Sequence, residues 1–203
     1  MTALRDWIIR KSDLSDTPSI PAAKAALRGR MKRMLRTIPP PLPDACRPVA
    51  DWLRTHPQRQ TVAIFAPLPG EPDLLRLLEL LPGRTWCFPR VLDDQRLAFH
   101  QVGDPSTLRP AAFDVREPAP DSPMIPAVRI DAFLCPGLAF DRTGGRLGRG
   151  RGYYDRLLAG ARADAVKVGS CFACQLVDTT FTEPHDVRMD VVICETGVAT
   201  PAE

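Results

Sequence analysis

The sequence predicts an α/β layered fold with a mainly parallel sheet. Short apolar runs alternate with segments of helical spacing along most of the chain, as in helices packed on a parallel sheet. The 203 residues suit one domain, and no internal repeat divides them. The 22 prolines, about twice the ordinary share, gather at 39–43, 67–72 and 118–126. They punctuate the apolar segments, so they mark loops and helix stops.

Residues 1–20 read as a partly ordered extension, and 21–198 as the single domain. A helix is expected from Pro21 to Ile38, where Leu27, Met31, Met34, Leu35 and Ile38 form an apolar stripe. Pro21 suits its first turn, and Pro39-Pro40-Pro41 stops it. A second helix is expected over 44–55, through Val49, Trp52 and Leu53. Thr61–Ala66 is a strand ended by Pro67, and the Leu-rich stretch Asp73–Leu81 is a helix. Strands follow at Arg84–Pro89 and Arg96–Val102, then an irregular connection over 103–127. Ile130–Pro136 is a buried strand, 137–152 a glycine-rich loop, Tyr153–Arg162 a helix and Ala165–Phe172 a strand. A turn or short helix and a loop fill 173–188 before a last strand at Met189–Cys194.

Composition narrows the function. The net charge of +3, from 27 basic and 24 acidic residues, is too mild to imply nucleic acid by itself. No apolar run approaches the ~18 residues of a membrane span. The N-terminal MTALRDWIIRKSDLSD is charged throughout and has no apolar core of a signal peptide. A cytoplasmic protein is expected. Cys87, Cys135, Cys171 and Cys194 lie in or beside apolar runs and read as reduced core residues. Cys171-Phe-Ala-Cys174 is a single C-x-x-C, with no second pair to complete a zinc site. His56, His100 and His185 show no metal spacing, and no serine sits in G-x-S-x-G. Hydrolase nucleophile chemistry lacks support.

The chemistry concentrates between Leu138 and Arg156. Five of the 13 glycines fall in 144–152 and five arginines in 142–156, between a buried strand and a helix. Glycines let backbone N–H groups approach phosphate oxygens, and a helix N-terminus adds free donors and positive potential. Arginine forks match phosphate oxygens in pairs. The loop is neither a P-loop nor a dinucleotide fingerprint, since its glycines run G-x-G-x-G with no Lys-Ser/Thr after them.

Other residues carry two readings each. Asp155 opens the following helix, as a favourable N-terminal charge or as a Mg²⁺ ligand. Asp186, in Glu183-Pro-His-Asp, is a loop Asx turn or a second carboxylate for that ion. Lys24, Arg28, Lys32 and Arg36 recur every four residues, and no acid occurs between Asp16 and Asp44. That row is a solvated face, a set of cations aimed at phosphates, or an RNA contact, though few aromatics accompany it. Glu71, in Pro67-Leu-Pro-Gly-Glu-Pro-Asp, is a helix-start charge or a carboxylate accepting from a ligand's N–H groups.

The stretch Pro136-Gly-Leu-Ala-Phe-Asp, with Gly145-Arg-Leu-Gly-Arg-Gly-Arg-Gly-Tyr-Tyr-Asp155, closely resembles the signature of the 5-formyltetrahydrofolate cyclo-ligases, or methenyltetrahydrofolate synthetases. The resemblance runs from about Ala22 to Gly197 and takes in Lys24-Ala-Ala-Leu-Arg28, Ile64-Phe-Ala-Pro with Glu71, Phe88-Pro89, Arg116-Glu-Pro and His185-Asp186. It implies a Rossmann-like three-layer sandwich of the CoA-transferase-like kind. It implies a ligase that converts 5-formyltetrahydrofolate to 5,10-methenyltetrahydrofolate, with ATP as co-substrate and ADP and phosphate as products. By that carry-over ATP is held by Lys24, Arg28, Arg146, Leu147, Gly148, Arg149, Gly150, Arg151, Gly152, Tyr153 and Tyr154. Leu68, Glu71 and Tyr153 contact the folate, Asp155 and Asp186 bind Mg²⁺, and Arg149, Tyr153 and Glu71 are the catalytic set. The expected partners are these small molecules, with no nucleic acid or membrane, in a monomer or weak dimer. Two other readings stay open: an ATP-dependent enzyme of the same fold with a non-folate substrate, and a nucleotide- or RNA-binding regulator.

Overall fold

The computed structural model describes residues 18–39, 42–92 and 96–200. The expected extension at 1–20 therefore lies almost wholly outside the described residues.

The described residues open with helix α1 (Ile20–Leu35) and helix α2 (Cys46–Arg54), then strand β1 (Thr61–Ala63), helix α3 (Leu77–Leu80), β2 (Thr85–Val91) and β3 (Leu97–Gln101). Short strands β4 (Arg109–Pro110), β5 (Arg116–Glu117) and β6 (Met124–Ile125) cross the Pro-rich connection. There follow β7 (Ala132–Cys135), β8 (Ala139–Asp141), β9 (Arg146–Leu147), α4 (Tyr153–Leu158) and β10 (Val166–Ser170). Last come β11 (Leu176–Val177), β12 (Val191–Cys194) and β13 (Gly197–Val198).

Among the described residues the central sheet runs β13-β12-β10-β7-β1-β2-β3-β6. Its middle, from β12 to β2, is parallel, and β13, β3 and β6 pair antiparallel at the edges. The parallel strands are apolar on both faces because both faces are covered. In β7, Ala132 and Leu134 point to the side of α2 and α3, while Phe133 and Cys135 point to the side of α4. Val49, Ala50 and Leu53 of α2 close the first side, and Leu158 of α4 the second. These are the three layers of an α/β sandwich.

α1 packs elsewhere. Its Leu27, Met31 and Leu35 cover Leu138, Ala139, Leu147 and Phe172 around a small sheet ordered β11-β8-β9. That small sheet corrects the expectation of loop throughout 137–152, since Ala139 pairs Leu147 and Phe140 pairs Arg146 in a hairpin. The expected helix at Asp73–Leu81 contracts to Leu77–Leu80, because its first turns close through i→i+3 bonds such as Leu77 N–H to the Leu74 carbonyl. The helix from Tyr153 stops at Leu158, ahead of Gly160. Among the described residues no helix is long and apolar enough to cross a membrane. All six cysteines are free; only Cys174 is exposed.

Candidate active site

β1 has β2 on one side and β7 on the other, so the chain leaves β1 in one direction and later returns across it. Such a switch point opens a crevice beyond the carboxyl ends of the two strands, where ligands gather in open α/β sheets. The loop after β1 carries Leu68 and Glu71, and the loop after β7 carries the glycine-rich segment. The two candidate regions are neighbours because of strand order.

The glycine-rich segment starts from a rigid base. Asp141, 4% exposed at the end of β8, accepts from Thr143 N–H (3.0 Å) and Oγ1 (2.6 Å), Gly145 N–H (2.9 Å), and Thr180 N–H (3.0 Å) and Oγ1 (2.7 Å). Burial alone pushes its carboxyl up, but the donors outweigh it and hold the pKa below the ordinary value. Gln175, fully buried, donates to the Gly137 carbonyl at 2.8 Å and accepts from Phe172 N–H, which fixes the exit of β7.

Beyond this base the segment from Gly148 to Gly152 is open. Arg28 reaches it from α1, its Nε donating to the Gly148 carbonyl at 3.0 Å. Arg149 turns to the neighbouring loop, where its Nε and Nη2 donate to Glu71 Oε1 at 3.0 and 2.9 Å. Glu71 is 5% exposed and also accepts from Leu68 N–H at 3.0 Å. Burial raises its pKa, and Arg149 opposes that rise without cancelling it. Gly152 caps α4 with φ +68°, a left-handed conformation that a side chain resists. Tyr153 and Tyr154, both half-buried, face Arg156 and Arg146, whose guanidinium carbons lie 5.6 and 5.5 Å from the ring centroids. Enclosure holds the Tyr154 phenol well above its ordinary pKa. Arg146 is 8% exposed and bonds Asp155 at 2.7 Å. Leu147 lies in the core under α1, 1% exposed, with its carbonyl accepting from Leu138 N–H. Arg151 is exposed at the tip.

A third cluster closes the site. Lys24, 6% exposed, donates to Glu183 at 2.8 Å and to Asp186 at 2.5 Å. Burial lowers the Lys24 pKa, but the two carboxylates more than compensate and leave it above the ordinary value. Burial raises Asp186, whereas Lys24 and Glu183 N–H bring it below the ordinary value. Ligand atoms of Glu183, His185 and Asp186 lie within 4.8 Å of one another. Hard carboxylate oxygens of this kind suit Mg²⁺, which takes one or two of them and completes its shell with phosphate and water. They already hold a cation here, the Lys24 ammonium. Asp155 is outside that cluster, with its carboxylate on Arg146.

A sequence profile described as the 5-formyltetrahydrofolate cyclo-ligase family matches residues 20–195. The chain belongs to that family. Cyclo-ligases of this family are ATP-dependent. A 5-formyltetrahydrofolate cyclo-ligase of Mycolicibacterium smegmatis is 34% identical over 185 residues, covering 85% of this chain and 94% of that one. The Escherichia coli cyclo-ligase is 31% identical over 158 residues, 73% of this chain and 87% of its own. The solution structure of the Aquifex aeolicus 5,10-methenyltetrahydrofolate synthetase superposes with a TM-score of 0.75 at 28% identity, over 89% of this chain and 93% of that one.

Set beside the family signature, several contacts were not legible in the sequence. Asp141 stood in the motif without a role; a lone acid after the apolar Leu138-Ala-Phe140 was its signal. Glu183 read only as a neighbour of Asp186, and the Glu71–Arg149 bridge spans 78 residues with nothing local to announce it.

Proposed function

We propose that this chain converts 5-formyltetrahydrofolate to 5,10-methenyltetrahydrofolate, using ATP and Mg²⁺ and releasing ADP and phosphate. One observation carries the reading: Arg149 of the glycine-rich segment grips buried Glu71 of the loop after β1. A phosphate cradle and a carboxylate able to accept a pterin's N–H groups thus share one wall.

Lys24, Arg28, Gly148, Gly150, Gly152 and the neighbouring arginines bind the triphosphate by charge and backbone donors. Arg149 faces the transferring γ-phosphoryl group, where charge builds. Glu71 and Leu68 seat the pterin, and Tyr153 lies against it. The formyl oxygen attacks the γ-phosphorus and ADP departs. N10 of the same substrate then attacks the activated carbon, phosphate leaves, and N10 loses its proton to solvent. That second step is intramolecular, so seating the pterin matters more than any protein nucleophile. Asp186, with Glu183 beside it on the same loop, and Asp155 from the start of α4 would hold Mg²⁺, which neutralises phosphate charge when bound; Lys24 and Arg146, which these carboxylates hold in its place, would then be released. The domain in this reading is 21–198, a cytoplasmic monomer or weak dimer without nucleic-acid or membrane partners.

The test is absorbance in the methenyltetrahydrofolate band with purified protein, Mg²⁺, ATP and 5-formyltetrahydrofolate. A rise that requires ATP is expected, and it should persist in a chain beginning at Ser19. ATP binding with no rise would move the site to a non-folate substrate.

A further inference from the structure

The basic row of α1 continues past the groups the phosphate site uses. Lys24 is taken by Glu183 and Asp186, and Arg28 by the Gly148 carbonyl. Lys32 and Arg36 come next, both exposed. Among the described residues neither makes an ion pair or a side-chain hydrogen bond. No acid in 17–43 neutralises them from their own helix.

Their position is bracketed by contacts at both ends. Steps of four residues stay on one side of a helix and rise about 6 Å each, so Lys32 and Arg36 stand about 6 and 12 Å beyond Arg28. At the near end, a Cβ on Gly150 would meet Arg28 Nε at 3.6 Å, which puts the tip of the glycine-rich segment against α1. At the far end Gly70 packs on Leu35, where a Cβ would come within 3.0 Å of the Leu35 Cβ. Arg149 and Glu71 join these two ends through their ion pair. Along α1, Lys32 therefore lies between the turn that meets Gly150 and the turn that meets Gly70, and Arg36 directly follows the Leu35 that packs on Gly70.

ATP and 5-formyltetrahydrofolate each present groups to be met. Phosphates take Arg28 and the glycine-rich segment, and the pterin takes Glu71. Beyond its pterin, 5-formyltetrahydrofolate carries an uncharged p-aminobenzoyl group and a glutamate, and the glutamate presents two carboxylates at neutral pH. We infer that Lys32 and Arg36 recognise those glutamate carboxylates, so that α1 serves phosphate at its start and the substrate's anionic tail at its end. This assignment rests on the folate reading above. Both cations are solvent-exposed, so each contributes a modest, salt-sensitive attraction.

Steady-state kinetics with two substrates test it: 5-formyltetrahydrofolate, and 5-formyltetrahydropteroate, which keeps the ring system and lacks the glutamate. The wild type should prefer the full substrate, and added salt should shrink that preference. The double variant Lys32→Ala/Arg36→Ala should raise KM for the full substrate about fivefold, with the pteroate and ATP KM values unmoved. The charge-keeping variant Lys32→Arg/Arg36→Lys should restore it. An equal rise for both substrates, a rise confined to ATP, or no change would overturn the assignment. Absence of turnover by the wild type on either substrate would instead overturn the folate reading, and this assignment with it.

Discussion

Arg149 is the side chain on which the site turns, because it satisfies a carboxylate that burial would otherwise make costly. Two consequences separate its chemical role from its structural one. Arg149→Ala should lower kcat or raise the ATP KM at least tenfold, since a charge-assisted phosphate contact contributes ~1.5–3 kcal/mol. It should also change the pH profile. Burial raises the Glu71 pKa and Arg149 pulls it down. Without the guanidinium that downward pull disappears, and the carboxylate becomes protonated at a higher pH. The acid limb of kcat/KM for 5-formyltetrahydrofolate should therefore move to higher pH in the variant. Wild-type kinetics with an unmoved limb would remove Arg149 from both roles. At this scale the residue types were legible, since a Gly-rich, Arg-rich run before a helix already marks a candidate anion site. Their pairing was not, because the Arg149–Glu71 contact depends on a fold that places residues far apart in sequence side by side.

The hairpin of β8 and β9 shows why an element escaped the sequence. Ala139–Asp141 and Arg146–Leu147 are too short to give a periodic signal, and glycine and arginine dominate the stretch. What makes it a hairpin is Asp141, which gathers five donors from both sides of the turn and from Thr180. Asp141→Ala would leave those buried donors without an acceptor. A loss of about 3 kcal/mol or more is expected, read as a fall in denaturation midpoint. The pH dependence follows from the sign of the shift. The folded-state pKa is depressed, so the stabilisation is present above the ordinary carboxylate value and is lost as pH falls through the folded value. The gap between wild type and Asp141→Ala should narrow below about pH 4. A gap that is small at neutral pH, or constant with pH, would mean the network contributes little. By contrast α1 was legible almost to its ends: its apolar stripe, its proline at the start and its prolines beyond are all local signals.

For the whole molecule, alternation of strand and helix announced a parallel sheet but not the order of its strands. That order places β1 between β2 and β7 and so creates the crevice in which the loops after β1 and β7 meet. α1 lies across the same region, tied to the glycine-rich segment by Arg28 and to the 183–186 loop by Lys24. A ligand bound there bridges segments from opposite ends of the chain, so its binding energy should appear as global stability. With ATP and Mg²⁺ at ~100 times the dissociation constant, linkage adds about 2.7 kcal/mol. For a chain of this size that raises Tm by about 5–10 °C. Part of the rise should require Mg²⁺, and Asp155→Asn should remove that part while keeping the shift due to ATP alone. The baseline of the variant will differ, because Arg146 loses the carboxylate at 2.7 Å, so the comparison is the ligand-induced shift within each protein. If Mg²⁺ adds nothing to the wild-type shift, the metal assignment fails as a whole. If it adds the same increment in both proteins, the ion is held by Asp186 and Glu183 without Asp155.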